Sequence, residues 1–291
     1  MRSLLFVPGD SEKKLEKGFS ARADAVIVDL EDSVAPANKP KARTLAGEAI
    51  RARPSGHRVY VRVNDLTTGL TDADLAAVVP AKPDGLILPK SQGGADVQQL
   101  STKLRVAEIE AGLPDGGIAI LPIITETGLA TLSTATYAGC SPRLVGLTWG
   151  AEDLAAEIGA QTNRDAHGRY TDVFRLARSV TLLAASASVV AAIDTVHVDF
   201  RDLDTLRTEC LEAERDGFTG KLAIHPAQVS VINEVFTPSR EAVEQAQALV
   251  AAFADAGNAG VVALEGRMYD IPHLKRAQRL LSRARDAGVL A

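Results

Sequence analysis

Eight short apolar runs recur along this chain, and helix-like stretches separate them. The runs are Leu4–Val7, Ala25–Leu30, Val59–Val63, Gly85–Leu88, Ile118–Ile124, Leu144–Thr148, Ile193–Val198 and Leu222–Ile224. Nearly continuous apolar runs between helices are typical of strands that are covered on both faces of a parallel sheet. Eight such strands predict an α/β fold, a (β/α)8 TIM barrel, in which chemistry takes place at the carboxyl ends of the strands.

The last part of the chain departs from this alternation. A length of 291 residues suits one barrel and an appendage of about 40–60 residues. We predict a catalytic barrel over residues 1–229 and a C-terminal helical extension over 230–291 that serves as a lid or an oligomerisation arm. Helices are predicted at Glu12–Ser20, Pro40–Arg51, Thr71–Val79, Ala95–Ala111, Phe174–Ala191, Asp202–Asp216 and Arg240–Ala256, with a last one from Ile271.

Composition excludes several classes of protein. A net charge of −5 argues against a nucleic-acid binder, which normally presents a basic face. No apolar run approaches the roughly 20 residues of a membrane helix, and the first run stops at Pro8-Gly9, too early for a signal peptide. Cys140 and Cys210 are too few for a disulfide framework or a cysteine-based zinc site. We therefore expect a protein of the reducing cytoplasm.

Two carboxylates follow neighbouring predicted strands. Glu126 comes after the fifth run and Asp153 after the sixth, so both should lie on the same rim of the barrel. Two oxygen ligands, with the other positions left to water and substrate, are how proteins usually hold Mg²⁺. The alternative is that each carboxylate caps the helix that follows it. Together on adjacent strands, the pair favours a metal site.

The third predicted strand contains a charged residue, Arg62. Its planar guanidinium suits a carboxylate or a developing enolate oxygen, although a structural ion pair with Asp29 or Glu31 explains it nearly as well. Asp29, Glu31 and Asp32 are close enough along the chain to repel one another unless a cation neutralises them. We interpret these acids as an outer shell that holds water on a metal ion.

Other polar residues near strand ends have simpler explanations. His225 could be a general base, but a hydrogen-bonded structural role is favoured. Lys90 and Lys221 could meet phosphate groups or be surface lysines with buried stems. For Lys13 and Lys14 a solvated helix face is the default.

Several ordered motifs carry a resemblance to a known family. They are RSLLFVPGD (2–10), ADAVIVDLEDSVAP (23–36), VRVN (61–64), LPK (88–90), TET (125–127), GLTWGAEDL (146–154) and GFTGKLAIHPAQV (217–229). At these motifs the chain resembles the citrate-lyase β-subunit-like family of CoA-ester lyases, within the HpcH/HpaI aldolase superfamily, which includes malyl-CoA and citramalyl-CoA lyases. The residues that follow Glu126-Thr127 differ from those of many family members, so the acyl pocket is expected to differ in shape.

The resemblance implies roles for individual residues. It implies that Glu126 and Asp153 bind Mg²⁺, or Mn²⁺ in its place, that Arg62 and Glu126 border the oxo acid, and that coenzyme A is part of the substrate. Asp29, Glu31 and Asp32 would support metal-bound waters. The segment EGRMYDIPH (265–273) is similar to the family's lid, so that Asp270 would act as a catalytic acid or base in a neighbouring subunit of a homotrimer. Arg2, Lys13 and Lys14 are the implied contacts for the CoA phosphates.

The leading hypothesis is a Mg²⁺-dependent lyase that cleaves, or forms, a 3-hydroxyacyl-CoA such as malyl-CoA or citramalyl-CoA. The rivals are a malyl-CoA thioesterase and a malate-synthase-like enzyme that use the same site. A non-catalytic binding subunit is the alternative from another class, and the set Arg62, Glu126 and Asp153 argues against it. The expected partners are a CoA thioester and a 2-oxo acid, with neither nucleic acid nor membrane.

Overall fold

Parallel strands alternate with helices along the computed structural model, which describes residues 1–257 and 259–290. Within these residues the main sheet has eight strands. They are β1 (Ser3–Pro8), β2 (Ala25–Asp29), β3 (Arg58–Arg62), β4 (Gly85–Leu88), β5 (Ala119–Pro122), β6 (Gly146–Thr148), β7 (Ala191–Asp194) and β8 (Gly220–Ala223). Their order in the sheet is β5-β4-β3-β2-β1-β8-β7-β6, and the pairs between neighbouring strands are parallel.

Helices follow the strands and cover the sheet. They are α1 (Glu12–Ser20), α2 (Lys39–Ala52), α3 (Thr71–Val78), α4 (Gly94–Glu110), α5 (Gly128–Leu132), α6 (Ala151–Glu157), α7 (Asp172–Ser188), α8 (Leu203–Asp216) and α9 (Pro226–Phe236). The alternation matches the predicted (β/α)8 barrel, and each predicted helix is present with its bounds shifted by no more than a few residues.

The strands close by joining β5 to β6. Isolated parallel bridges pair Ile120 with Leu144 and Ile123 with Thr148, where the other neighbouring strands share a ladder. Below this junction the buried guanidinium of Arg143 donates to Glu108, at 2.9 and 2.6 Å, and to the carbonyl of Ile118 at 3.1 Å. We call this β5–β6 junction the seam of the barrel.

Aliphatic side chains fill the two sides of the strand ring. One buried cluster lies inside the ring and a larger one lies between the strands and the helices. The inner cluster includes Leu4, Ile27, Tyr60, Ile87, Leu121, Ile193 and Leu222. Because consecutive strand residues point to opposite faces, the residue after each inner one faces the helices. The barrel is therefore a packed core, and the polar residues that end its strands are placed on the rim.

Strand β7 and helix α9 are among the elements that differ from the sequence-based expectation, as are α5, α6 and the short strand Arg267–Asp270, which were not predicted. The seventh strand is Ala191–Asp194, not Ile193–Val198. It begins with two alanines, which were not recognised as part of a strand because alanine has a weak strand preference compared with β-branched residues. Helix α9 was not predicted, although Pro226 at its first turn and the spacing of Val229, Ile232 and Phe236 are helical signals.

The C-terminal part packs around its own small core. It consists of α10 (Arg240–Asp255), the antiparallel hairpin β9 (Val261–Leu264) and β10 (Arg267–Asp270), and α11 (Ile271–Asp286). Helices α10 and α11 bury Leu249, Phe253 and Leu281 between them. Over residues 1–257 and 259–290, none of the helices combines the length and the apolar character that crossing a membrane would need.

Candidate metal-binding active site

An arginine and an aspartate end two adjacent strands and pair with each other. Asp29 closes β2 and Arg62 closes β3, and the two are register partners. Arg62 donates through Nε and Nη2 to the two oxygens of Asp29, both at 2.7 Å, and its Nη1 lies 3.1 Å from Glu31 Oε2. Its guanidinium carbon sits 4.8 Å from the centre of the Phe6 ring. The structural ion pair considered from the sequence is therefore present.

This pairing fixes the charge of both groups. Burial raises the pKa of the Asp29 carboxyl, but the hydrogen bonds from Arg62 outweigh it, so the pKa lies below its ordinary value. Burial likewise opposes the charge on Arg62, and the bonds to Asp29 reverse the effect and raise its pKa. The contacts with Asp29 and Glu31 use at most three of the five guanidinium N–H groups. Arg62 can thus be held rigidly and still donate to a bound anion.

Glu126 lies on the loop after β5, and Asp153 lies in the first turn of α6, the helix that follows β6, so the two follow the strands on either side of the seam. Glu126 is buried, and burial raises its pKa well above the ordinary value, with the negative charge of Asp153 as the next cause. Neither residue caps a helix: Thr127 is the N-cap of α5, accepting from the Ala130 amide at 3.1 Å, and Gly150 is the N-cap of α6. The capping alternative is therefore not what the structure shows.

Lys90 joins these acids from the loop after β4. Its amide donates to the Glu126 carboxylate, and its ammonium contacts Glu31. The same ammonium lies 3.1 Å from Asp32 Oδ2 and 3.6 Å from Asp153 Oδ1. Neither of the two roles considered for Lys90 from the sequence, a phosphate contact or a surface position, describes this arrangement.

We call the group Asp29, Glu31, Asp32, Arg62, Lys90, Glu126 and Asp153 the acidic centre. Its five carboxylates face two side-chain cations, Arg62 and Lys90, which leaves negative charge in excess. Burial disfavours the charged form of Glu126, and a cation bound beside it would offset the free-energy cost of ionising this carboxyl. Hard carboxylate oxygens are the donors Mg²⁺ prefers, so the residues fit such an ion. In the described part of the chain no three His, Cys, Asp or Glu side chains cluster as a metal cage.

A polar network behind the acidic centre holds its loops. Lys39 donates to the carbonyls of Leu30 and Glu31, at 2.7 and 2.8 Å, and to Asn64 Oδ1 at 2.7 Å. Asn64 in turn donates to Leu30 and to Asp74. Lys39 and Asn64 were missed from the sequence because their partners lie up to 34 positions away.

The CoA-contact candidates lie at two ends of the barrel. Lys13 and Lys14 are exposed in the first turn of α1, which follows the carboxyl end of β1. Arg2 precedes β1, at the opposite end, and binds Asp24 at 2.6 Å and Thr237 at 2.8 Å. Lys13 and Lys14 therefore lie at the same end of the barrel as the acidic centre, and Arg2 lies at the other end.

Asp270 ends β10 and occupies the N-cap of α11. Its half-exposed carboxylate contacts the His273 imidazole, which lowers the pKa of Asp270. Among the described residues, the hydrogen bonds and ion pairs of Asp270 do not connect it to the acidic centre of its own chain.

The two remaining strand-end candidates have structural contacts. His225 is the N-cap of α9, its Nδ1 accepts from the Ala227 amide at 3.1 Å, and its ring stacks on Phe200. Lys221 is neither at the surface nor in reach of a phosphate: it is fully buried, with Nζ 2.9 Å from Asp194 and 3.3 Å from Glu209. Its position in β8 directs the side chain away from the barrel interior and toward α8. The sequence pattern alone did not predict this orientation.

Gly150 leaves the space that Glu126 occupies. A Cβ at this position would lie 2.6 Å from Glu126 Cγ, whereas a Cβ at Gly128 would meet nothing within 4 Å. We expect Gly150→Ala to cost about 1–3 kcal/mol of stability and to weaken Mg²⁺ binding at least about tenfold, because the buried carboxylate must shift. Calorimetric titration with Mg²⁺ checks this against Gly128→Ala, for which the affinity should not change. An unchanged affinity in Gly150→Ala would count against Glu126 as a ligand.

Comparison with known proteins identifies the class that this barrel and its acidic rim define. Residues 2–226 match the HpcH/HpaI aldolase/citrate lyase family. The chain is 36% identical over 286 residues to a (3S)-malyl-CoA thioesterase of Cereibacter sphaeroides, which covers 97% of this chain and 94% of that protein. It is 35% identical over 298 residues to the mitochondrial citramalyl-CoA lyase of Rattus norvegicus, which covers 97% of this chain and 86% of the other.

A solved structure agrees with these matches. Protein CitE of Mycobacterium tuberculosis, in complex with magnesium, acetoacetate and coenzyme A, has a TM-score of 0.76 and 36% identity, over 97% of each chain. The chain therefore belongs to the HpcH/HpaI aldolase/citrate lyase family. The predicted family, the predicted barrel and the predicted enzyme class, a carbon–carbon lyase, are confirmed.

Proposed function

We propose that this protein is a Mg²⁺-dependent lyase that reversibly cleaves a 3-hydroxyacyl-CoA, such as malyl-CoA or citramalyl-CoA, into an acyl-CoA and a 2-oxo acid. The observation that carries the proposal is the acidic centre, where the Lys90 amide donates to Glu126 and the Lys90 ammonium lies 3.6 Å from Asp153, beside the pair of Arg62 and Asp29. Relatives named for citramalyl-CoA cleavage and for binding magnesium with coenzyme A support it.

The residues have distinct tasks in such a reaction. Glu126 and Asp153 would hold Mg²⁺, or Mn²⁺ in its place, which supplies Lewis acidity to the hydroxyl and carboxylate oxygens of the substrate. A base, which we propose to be Asp270 of a neighbouring subunit, would take the proton of the 3-hydroxyl. The bond between C2 and C3 then breaks, C3 becomes the carbonyl of the 2-oxo acid, and the electron pair of the broken bond moves into the thioester as an enolate. Arg62, held by Asp29, donates to the developing negative charge. Protonation at C2 then releases the acyl-CoA.

Charge placement supports the choice of Arg62 for that task. Its guanidinium is fixed by a bidentate pair and rests against Phe6, so little reorganisation is needed when the enolate forms. Glu31 and Asp32 lie behind it and would accept from water bound to the metal. Lys13 and Lys14, exposed at the rim, would meet the phosphates of coenzyme A.

We propose further that the active protein is a homotrimer in which Asp270 acts as acid or base in a neighbouring subunit. Asp270 is half exposed at the end of a hairpin, and Met268 two residues earlier is 70% exposed. Apolar side chains also remain exposed on α5 and α7, with Leu132 at 85% and Leu183 at 69%. Exposed apolar residues of this kind are typical of surfaces that are covered by another subunit.

Two free cysteines are in keeping with the reducing cytoplasm as the compartment of this protein.

A second activity is supported by a specific relative. The (3S)-malyl-CoA thioesterase of Cereibacter sphaeroides covers nearly the whole chain. In thioester hydrolysis water attacks the thioester carbonyl carbon, the bond to sulfur breaks, CoA leaves as the thiol, and the carbon–carbon bond stays intact. Here Asp270 would activate the water. The products distinguish the two: free malate and CoA from hydrolysis, and glyoxylate with acetyl-CoA from cleavage.

The experiment is a panel of 3-hydroxyacyl-CoA esters incubated with the purified protein and Mg²⁺, with products identified by mass spectrometry. We expect acetyl-CoA, or a related acyl-CoA, together with a stoichiometric amount of a 2-oxo acid, and no turnover after chelation of the metal. Free CoA with an intact hydroxy acid would establish the thioesterase in place of the lyase. No turnover of any ester in the panel would overturn the proposal.

A further inference from the structure

One residue interacts with both proposed metal ligands, through its amide with one and through its ammonium with the other. Lys90 has the left-handed backbone conformation, with φ of +53°, and this turns its amide toward the Glu126 carboxylate. Its side chain then crosses the centre, and the ammonium lies 3.6 Å from Asp153 Oδ1. The backbone of Lys90 therefore serves one ligand and its side chain serves the other.

The ammonium stands where positive charge is needed when no metal is bound. It contacts Glu31, lies 3.1 Å from Asp32, and reaches Asp153 from the same position. A divalent ion between Glu126 and Asp153 would bring a second cation to the Asp153 carboxylate, and like charges at such separations repel. Because 32% of the Lys90 side chain is exposed, the ammonium has room to withdraw from Asp153.

Glu31 gives the withdrawn ammonium a fixed acceptor. Its carboxylate lies 3.1 Å from Nη1 of Arg62, and Arg62 is itself held in place by Asp29. The side chain of Lys90 can thus keep its contacts with Glu31 and Asp32 while it gives up the contact with Asp153.

We propose that the Lys90 ammonium is a built-in counter-ion that competes with the divalent metal for Asp153, so that Lys90 lowers metal affinity and stabilises the metal-free protein. The inference rests on the proposed metal site of Glu126 and Asp153. It makes Lys90 a positioning residue whose amide orders Glu126 and whose ammonium sets the metal concentration at which the site fills.

The test separates the ammonium from the amide. Lys90→Gly removes the side chain and keeps the left-handed backbone that orients the amide, because glycine adopts this conformation without strain. The chain offers a matched control in Lys82, which is also left-handed, with φ of +60°, and exposed. Lys82→Gly makes the same chemical change away from the acidic centre.

Mg²⁺ binding is measured by calorimetric titration and Mn²⁺ binding by electron paramagnetic resonance. We expect Lys90→Gly to bind both ions about tenfold more tightly than the natural protein and Lys82→Gly to bind them equally. Without metal, Lys90→Gly should melt at a lower temperature than Lys82→Gly, and saturating Mg²⁺ should remove most of that difference.

The direction of the change decides the inference. A merely structural lysine would, when removed, loosen the site and weaken metal binding, so unchanged or weaker binding in Lys90→Gly overturns the proposal. Lys90→Asn, which is neutral and tolerates the left-handed conformation, repeats the measurement if the glycine variant does not fold. Absence of binding to the natural protein would instead overturn the metal site of Glu126 and Asp153.

Discussion

Replacing Glu126 by Gln is expected to lower kcat/KM at least about a thousandfold, because an amide is a poor ligand for Mg²⁺ and a preorganised charge is lost from the reacting centre. The same change should leave the metal-free fold as stable or make it more stable. Burial and the charge of Asp153 both disfavour ionised Glu126, and Gln keeps its shape and can still accept from the Lys90 amide. Activity by product assay and unfolding by calorimetry measure the two effects.

The pH dependence gives the sign of the stability effect. The pKa of Glu126 is raised in the folded protein, so its favourable contribution is complete below the ordinary carboxyl pKa of about 4.3 and is lost as pH rises through the raised value. Glu126→Gln has no such loss, and its advantage over the metal-free natural protein should grow with pH. Glu152→Gln is the control, since Glu152 is exposed beside Asp153 and accepts from Asn163 at 2.7 Å. Undiminished Mg²⁺ affinity in Glu126→Gln would refute the assignment.

Replacing Asp270 by Asn is expected to lower kcat by about a hundredfold or more, the usual contribution of a general acid or base, while metal affinity stays the same. Asn is also a good N-cap, so α11 should keep its start and the fold should be preserved. Asp255→Asn, at the exposed end of α10, makes the same chemical change in the same C-terminal part and should have no effect.

Mixing subunits tests whether Asp270 acts across a subunit boundary. Glu126→Gln and Asp270→Asn chains, each strongly impaired alone, are co-expressed with different affinity tags and purified as mixed oligomers. Some sites in the mixture then combine an intact Glu126 with an intact Asp270 from a neighbour, so activity should return to a substantial fraction of the natural level. Mixed oligomers no more active than their parents would show that each chain serves only its own site.

Much of the fold follows from local patterns in the sequence. The runs Ala25–Leu30 and Gly85–Leu88 are apolar because both faces of their strands are buried, and the alternation with helices admits few other arrangements. The strand at Ala191–Asp194 was misplaced because alanines signal a strand weakly and its partner Gly220–Ala223 decides its register. Local pattern thus predicts where elements lie better than where they begin and end.

The acidic centre divides in the same way. Strand ends mark Asp29, Arg62, Glu126 and Asp153 as neighbours, because adjacent parallel strands end on one rim. Lys90 was not assigned to this centre, because its ammonium meets Glu31 across 59 positions of sequence. Which acid a long flexible side chain reaches depends on the loop conformation and not on its sequence neighbours.

The seam between β5 and β6 marks the side of the barrel that carries the proposed metal ligands. Eight strands could have formed an unbroken ring, yet β5 and β6 meet through isolated bridges. Glu126, on the loop after β5, and Asp153, in the first turn of the helix after β6, follow these two strands. The barrel is an eight-stranded sheet whose two edge strands, β5 and β6, come together, and the proposed metal ligands follow these edge strands. Three backbone hydrogen bonds cross the seam, from Ile120 to Arg143 at 2.8 Å, from Val145 to Ile120 at 3.1 Å and from Ile124 to Thr148 at 2.9 Å. The ion pair of Arg143 and Glu108 secures the seam from below. The proposed metal ligands therefore follow the two strands whose pairing rests on separate bridges and one buried ion pair, and not on a continuous ladder.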